Sequence, residues 1–424
     1  MYYEKKELKK GITIHQINTN KFKTNLFSVF LAIPLERENV TKNALIAAVL
    51  RRGTQNLKSQ DEISKKLEEM YGASFDCGIE KTGDNHILKF YLESISEKFL
   101  PEKEELSKKC LQILFDIILN PLIENDGFKE EYIESEKRNL KQIIESKIDN
   151  KRIYSLERCI EEMFKDSRYG LYKYGYVEDL EKINAKDLYK YYKELISRCK
   201  IDIFASGTIE NLDIYKIIEE NEQIAKLKER TPEYIVNKQK AEKINEKEER
   251  IVEEHLNVGQ GNLVLGLKVN DDKENGKYIA SVYNAILGGG ANSKLFQNVR
   301  EKESLAYTAG SNYKRQKDAI FIRCGIEIDK YEKALNTIKV QLADMKEGKF
   351  SEEDINNAKQ LINSSIKSIN SEQDTEITYY YGQELSEQFV SIEEYMKKIE
   401  EVSKNDIEHL ANSTFIDTIY FLRN

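Results

Sequence analysis

Arg300 and Tyr307 close the stretch LGGGANSKLFQNVREKESLAY, Leu287–Tyr307, standing seven residues apart. A guanidinium and a phenol both donate hydrogen bonds, so such a pair can hold a peptide carbonyl or an oxyanion developing on it. The glycine-rich turn ahead of them, Gly288, Gly289 and Gly290, does not complete a phosphate-cradling G-x-x-x-x-G-K-[ST] loop. Taken alone, an Arg and a Tyr beside a strand read as surface residues. A second stretch, NALIAAVLRRGT at Asn43–Thr54, puts Ala44, Ala47 and Ala48 on one helix face, because positions i, i+3 and i+4 are neighbours there. Close packing against another element accounts for that smooth patch, and so does a site from which donor side chains have been removed. A third, YIESEKRNL from Tyr132, offers the carboxylates Glu134 and Glu136 on an amphipathic helix.

Metal and thiol chemistry find little else to work with. The four histidines, His15, His86, His255 and His409, are isolated from one another, which excludes both H-E-x-x-H and H-x-x-E-H. Cys77, Cys110, Cys159, Cys199 and Cys324 are scattered, odd in number and without a C-x-x-C pair. They read as reduced, buried thiols, with neither a zinc knot nor a disulfide framework.

The elements that must position these residues repeat. FKEEYIESEKRNLKQIIESKI begins at Phe128 and FSEEDINNAKQLINSSIKSI at Phe350, an offset of 222 residues. INAKDLYKYYKELISRCKIDIFASG from Ile183 parallels VSKNDIEHLANSTFIDTIYFLRN from Val402, with Asp187 and Asp406 offset by 219. Two unrelated stretches at nearly one spacing indicate a duplicated domain. Strand runs (LFSVFLAI; NLVLGLKV), a glycine-terminated helix (ALIAAVLRRG; IASVYNAILGGG), further strands (HILKFYLE; AIFIRCGIE) and closing helices come in the same order in each half. That grouping predicts an α+β fold of two homologous domains, over residues 1–225 and 251–424. Between them 226–250 has 14 charged residues in 25 and reads as a surface linker.

The 424 residues, 40% hydrophobic and 33% charged, suffice for sizeable cores under a solvated surface. A net charge of -8, with 74 acidic against 66 basic residues, gives no pull toward nucleic acid. The longest nearly apolar run, LFSVFLAIPL at Leu26–Leu35, is about half of what spanning a membrane takes, roughly 20 residues. MYYEKKELKK lacks the apolar core of a signal peptide, so the expected location is cytoplasmic, with no membrane partner.

Arranged this way, the chain resembles the pitrilysin/insulinase family of zinc peptidases over essentially its whole length, in particular its two-domain bacterial and mitochondrial-processing-type subunits. The resemblance implies two domains of the LuxS/mitochondrial-processing-peptidase-like metallohydrolase fold, each a mostly antiparallel sheet covered by helices. Active members carry H-x-x-E-H shortly before a Gly-Thr and a downstream zinc-binding glutamate. Counting back from Gly53-Thr54, Ala44 and Ala48 stand at the two histidines and Ala47 at the general-base glutamate. Glu134 stands at the third ligand as a vestige, unless it is simply a solvated helix charge. One carboxylate does not hold catalytic zinc, which takes three protein donors, and nothing is left to deprotonate a water. Ser293, Leu295, Phe296, Arg300 and Tyr307, with Gly288–Gly290, match the family's second motif, whose Arg and Tyr contact the scissile peptide. The likeness is greatest to a subgroup associated with 5-aminopentanol modification of elongation factor P, whose members lack the zinc motif and pair with a zinc-bearing sibling.

The resemblance therefore implies a subunit that is not an enzyme alone and binds no cofactor. It would contribute half the chamber and Arg300/Tyr307 to a homologous zinc-bearing partner that acts on extended or unfolded peptide. A homodimeric peptide-binding scaffold is the alternative, with ASFDCGIE after Gly72 as a candidate edge strand for peptide addition. An unconventional metal site built from Glu134, Glu136 and a distant histidine is the third possibility.

Overall fold

A computed structural model of the chain describes residues 2–236, 248–270 and 275–424. Of the expected linker 226–250, residues 237–247 lie outside the described residues. Lys226 ends a short helix, and 227–236 run without regular structure but are pinned. Arg230 N donates to Lys10 O at 3.0 Å, and Asn85 and Ile235 exchange two hydrogen bonds of 2.7 Å.

The chain forms two compact units. The first is built on β1 (Tyr3–Lys9), β2 (Ile12–Asn18), β3 (Thr24–Pro34), β4 (Ser74–Thr82), β5 (Asn85–Ile95) and β8 (Lys200–Gly207), in the sheet order β1-β2-β8-β3-β5-β4. Only β2 and β8 run parallel. A two-stranded ribbon, β6 (Ile123–Glu124) and β7 (Gly127–Phe128), stands apart. Its helices are α1 (Val40–Leu50), α2 (Gln60–Glu69), α3 (Leu106–Leu119), α4 (Glu130–Glu145), α6 (Val177–Leu180), α7 (Ala185–Arg198), α8 (Ile214–Glu219), α9 (Glu222–Lys226) and α13 (Gln373–Ser386). The apolar run predicted as a strand becomes β3, central in the sheet and buried on both faces.

The second unit repeats the plan. β9 (Arg250–His255), β10 (Gly261–Val269), β11 (Ala306–Lys314), β12 (Ala319–Ile326) and β13 (Thr414–Arg423) pair in the order β11-β12-β10-β13-β9. Again one neighbouring pair, β13 with β9, is parallel. The five-stranded order matches β4-β5-β3-β8-β2, so β1 is the extra strand of the first unit. Its helices are α5 (Lys151–Met163), α10 (Gly276–Gly288), α11 (Tyr331–Lys346), α12 (Glu352–Ser368), α14 (Ile392–Glu400) and α15 (Lys404–Asn412). The sequence repeat thus falls on α4 with α12, on α7 with α15, and on β8 with β13.

The units do not follow the chain halves as the sequence suggested. Lys147–Gly170 belongs to the second unit and Glu372–Leu385 to the first. A sheet central enough to be apolar on both faces needs cover on both. Cys159, Ile160 and Met163 of α5 pack on Val264, Phe321, Tyr420 and Leu422. Ile377, Tyr380, Tyr381 and Leu385 of the 372–385 segment pack on Ile17, Leu26, Phe30 and Phe204, with Tyr381 stacked on Phe30 at 4.3 Å between ring centres. Each sheet's second face is therefore closed by a helix from the other half of the chain. Among the described residues no helix is long and apolar enough to cross a membrane.

Candidate functional site

α1 is apolar on nearly every side, and Ala44 and Ala47 are buried while Ala48 is half-buried. Close packing is only part of their role. All three also line a cavity of about 430 Å³, together with Cys77 of β4 and Glu136 of α4. The donor atoms there are already engaged. Arg52, one residue past the α1 cap, donates from Nε to Glu136 Oε1, from Nη2 to Ser135 Oγ at 3.2 Å and from Nη1 to Gln60 Oε1 at 3.4 Å. Asn139 Nδ2 donates to the other Glu136 oxygen at 3.2 Å. The Cys77 thiol donates to Ala47 O at 3.3 Å, and burial pushes its pKa up to about 11, so it is protonated at neutral pH.

Glu134 points elsewhere. Its side chain is 49% exposed and pairs with Lys137 at 2.7 Å, and it is not among the cavity-lining residues. Residues i and i+2 of a helix lie on nearly opposite sides, so α4 can turn only one of the two carboxylates toward α1, and it turns Glu136. No histidine lines the cavity. His86 is buried against Asn43, with Asn43 Nδ2 and His86 Nδ1 3.1 Å apart, and burial lowers its pKa to about 3. His255 contacts Asn424 O at 2.8 Å. The set of Glu134, Glu136 and a histidine is therefore not assembled. What lines the cavity, one carboxylate neutralised by a guanidinium and one protonated thiol, does not fit a catalytic zinc ion.

A separate cluster in the first unit went unnoticed in the sequence. His15, Asp202 and Glu384 bring three possible donor atoms within 4.8 Å of one another. Lys200 already supplies the positive charge, bonding to Asp202 and to Glu384 Oε1 at 3.0 Å, while His15 Nε2 sits 3.0 Å from Asp202 Oδ1. Burial disfavours the Asp202 carboxylate, but Lys200 and His15 outweigh it and hold its pKa below the usual range. The residues lie on β2, β8 and α13, too far apart in sequence for any spacing rule to link them.

The Arg/Tyr motif belongs to the second unit. After α10 the chain enters a π-helical turn, Phe296–Lys302, a rare form often found at functional sites. Leu295 and Val299 anchor it, fully buried, and leave Arg300 half-exposed with its guanidinium 4.5 Å from the Phe296 ring centre. Its charged neighbour is Glu301, with Nε 3.7 Å from Oε1. Ser304 takes a left-handed φ of 50°, and the chain then enters β11 through a register shift between Ala306 and Thr308. Tyr307 occupies that bulge on the edge strand, 63% exposed. Bulges re-aim side chains in this way near sites.

The three glycines divide. A Cβ on Gly288 would come 2.5 Å from Ser311 N, and one on Gly289 2.6 Å from Ala285 Cα, so both are demanded by close packing. Gly290 would meet only Leu361 Cδ2, at 3.5 Å, and is the one open to a ligand.

Comparison with known proteins bears on family and fold. Residues 182–362 match the family described as peptidase M16 inactive domain. A Bacillus subtilis protein named probable inactive metalloprotease YmfF is 35% identical over 415 residues, covering 97% of this chain and 96% of its own length. An uncharacterized zinc protease of Rickettsia felis is 24% identical over 431 residues, covering 96% of this chain and 94% of that protein. Among solved structures, a conserved protein from Enterococcus faecalis superposes with a TM-score of 0.89 at 27% identity, covering 100% of this chain and 99% of that one. A peptidase M16 inactive domain from Pseudomonas fluorescens gives 0.78 at 18%, covering 100% and 98%; that likeness speaks for the fold alone. With two sheets built on one repeated plan and a relative 35% identical over nearly its whole length, the chain belongs to the pitrilysin/insulinase (M16) peptidase family.

Proposed function

We propose that the chain is the non-catalytic subunit of a heterodimeric zinc peptidase. It contributes half the chamber and the Arg300/Tyr307 pair to a homologous partner that carries H-x-x-E-H and the zinc, and it binds no metal itself. The observation that carries this reading is an asymmetry between the two units. In the first, the cavity beside α1 is lined by three alanines and by a glutamate paired with Arg52, a set short of the three donors a catalytic zinc takes. In the second, a guanidinium and a phenol remain presented to solvent on a π-turn and a bulge. Genetic drift in a useless chain would erode both.

Peptide substrate is taken up in extended form. β4 is an edge strand, hydrogen-bonded to β5 alone, and an unpaired edge is a template for an added strand. Tyr307 sits on β11, the topologically equivalent edge of the second unit.

Native purification of the chain from its own cells, with mass spectrometry of what accompanies it, tests the reading. The expected result is a similar-sized protein bearing H-x-x-E-H at about one-to-one. Arg300→Ala should then lower peptide cleavage by the assembled pair on the order of a hundredfold, the usual effect of removing one oxyanion donor. Recovery of the chain with itself alone would instead favour the homodimeric peptide-binding scaffold, and unchanged cleavage would remove Arg300 from the chemistry.

A further inference from the structure

The alanine-lined cavity carries more positive than negative charge. Two arginines line it, Arg51 and Arg52, against a single carboxylate, Glu136. Arg52 is committed to that carboxylate and to Ser135 and Gln60. Arg51 has no carboxylate partner among the described residues. Cys77 offers it none either, since a thiol whose pKa burial raises to about 11 stays neutral at physiological pH. Asn139 is turned to Glu136, and the alanines, Ile79 and Leu140 are apolar. One cation thus lines a cavity of about 430 Å³ with no carboxylate paired to it among the described residues. In such a space a carboxylate gains more from a guanidinium than it would in open water, because the effective dielectric is lower and the fork can bond both oxygens.

The cavity also opens beside the edge on which peptide would lie. Cys77, Gly78 and Ile79 of β4 form part of its wall, so a side chain from a strand added there needs no long reach to enter it. Ile143, 43% exposed, lies on the same lining and supplies apolar surface for the stem of that side chain.

We propose that this cavity is a carboxylate subsite, in which Arg51 is the counter-charge for an acidic side chain, or for the C-terminal carboxylate, of a peptide added along β4. The inference rests on the peptide-binding reading above and narrows it to acidic ligands. The alanines then do more than mark a lost metal: removing the donor side chains leaves the volume that the carboxylate occupies.

Fluorescence anisotropy with the full-length chain tests it, using one extended peptide in four forms: internal Glu or Gln, each with a free or an amidated C-terminus. The expected result is that a carboxylate tightens binding about tenfold, or ~1.4 kcal/mol. Arg51→Gln should abolish that preference while Arg51→Lys keeps part of it. A preference that follows the internal Glu identifies a side-chain ligand; one that follows the free terminus identifies a C-terminal ligand. If all four peptides bind the wild type equally, or Arg51→Gln leaves the preference intact, the subsite is overturned while peptide binding stands. If none binds at all, peptide binding by this chain and the subsite fall together.

Discussion

Glu136 is held against one guanidinium with its side chain only 8% exposed, and that pairing has a measurable cost when broken. Arg52→Met leaves a buried carboxylate without its partner and is expected to destabilise the first unit by roughly 3 kcal/mol. Adding Glu136→Leu should recover most of the loss, because replacing both members of a buried pair with apolar groups is often close to neutral. Urea denaturation of the two variants decides; equal stability of both with the wild type would mean the pair is a solvated surface contact. His86 supplies a pH signature. Its folded pKa, about 3, lies below the unfolded value of about 6.5. Between those two values the unfolded chain binds the extra proton, so the contribution is complete above about pH 6.5 and is lost as pH falls toward 3. The unfolding midpoint should therefore drop more steeply on acidification in the wild type than in His86→Gln, and parallel curves would count against a buried neutral imidazole.

Elements, taken one at a time, were largely legible. The apolar run at Leu26–Leu35 falls within β3 and its last residue follows it, the F-x-E-E repeats open α4 and α12, and ASFDCGIE forms the edge β4. What escaped the sequence was rotation and partnership. Spacing put Glu134 and Glu136 on one helix without saying which faced α1, and Arg52 meets Glu136 from 84 positions away in the chain. The glycine turn shows the same limit: a match to a motif does not separate a glycine that packs from one that touches a ligand. Gly288→Ala drives a methyl into the backbone of β11 and is expected to cost roughly 1–3 kcal/mol, as overpacking does. Gly290→Ala should leave stability unchanged. Thermal unfolding that shows both substitutions to be equally harmless would place the turn's constraint outside packing.

At the scale of the whole molecule, the sequence repeat announced two domains, but not that α5 would close the second sheet and the 372–385 segment the first. Periodicity identifies a helix as amphipathic without naming the surface it covers. A chain cut between the halves, expressed as 1–236 and 248–424, should therefore stay together, since each fragment holds a helix that the other's core requires. Co-purification of the two through a tag on one of them is the expected result. Fragments that separate as stable monomers, with no exposed apolar surface detectable by dye binding, would show that the exchanged helices are dispensable.

That exchange also bears on how such a protein can evolve. A duplicated gene usually yields two modules free to be shuffled, trimmed or fused elsewhere. Here the copies have traded a helix each, so a recombination breakpoint in the charged connector would hand a new host a sheet with one face bare. The two halves are bound to a shared inheritance: either can change its chemistry residue by residue, but neither can be discarded.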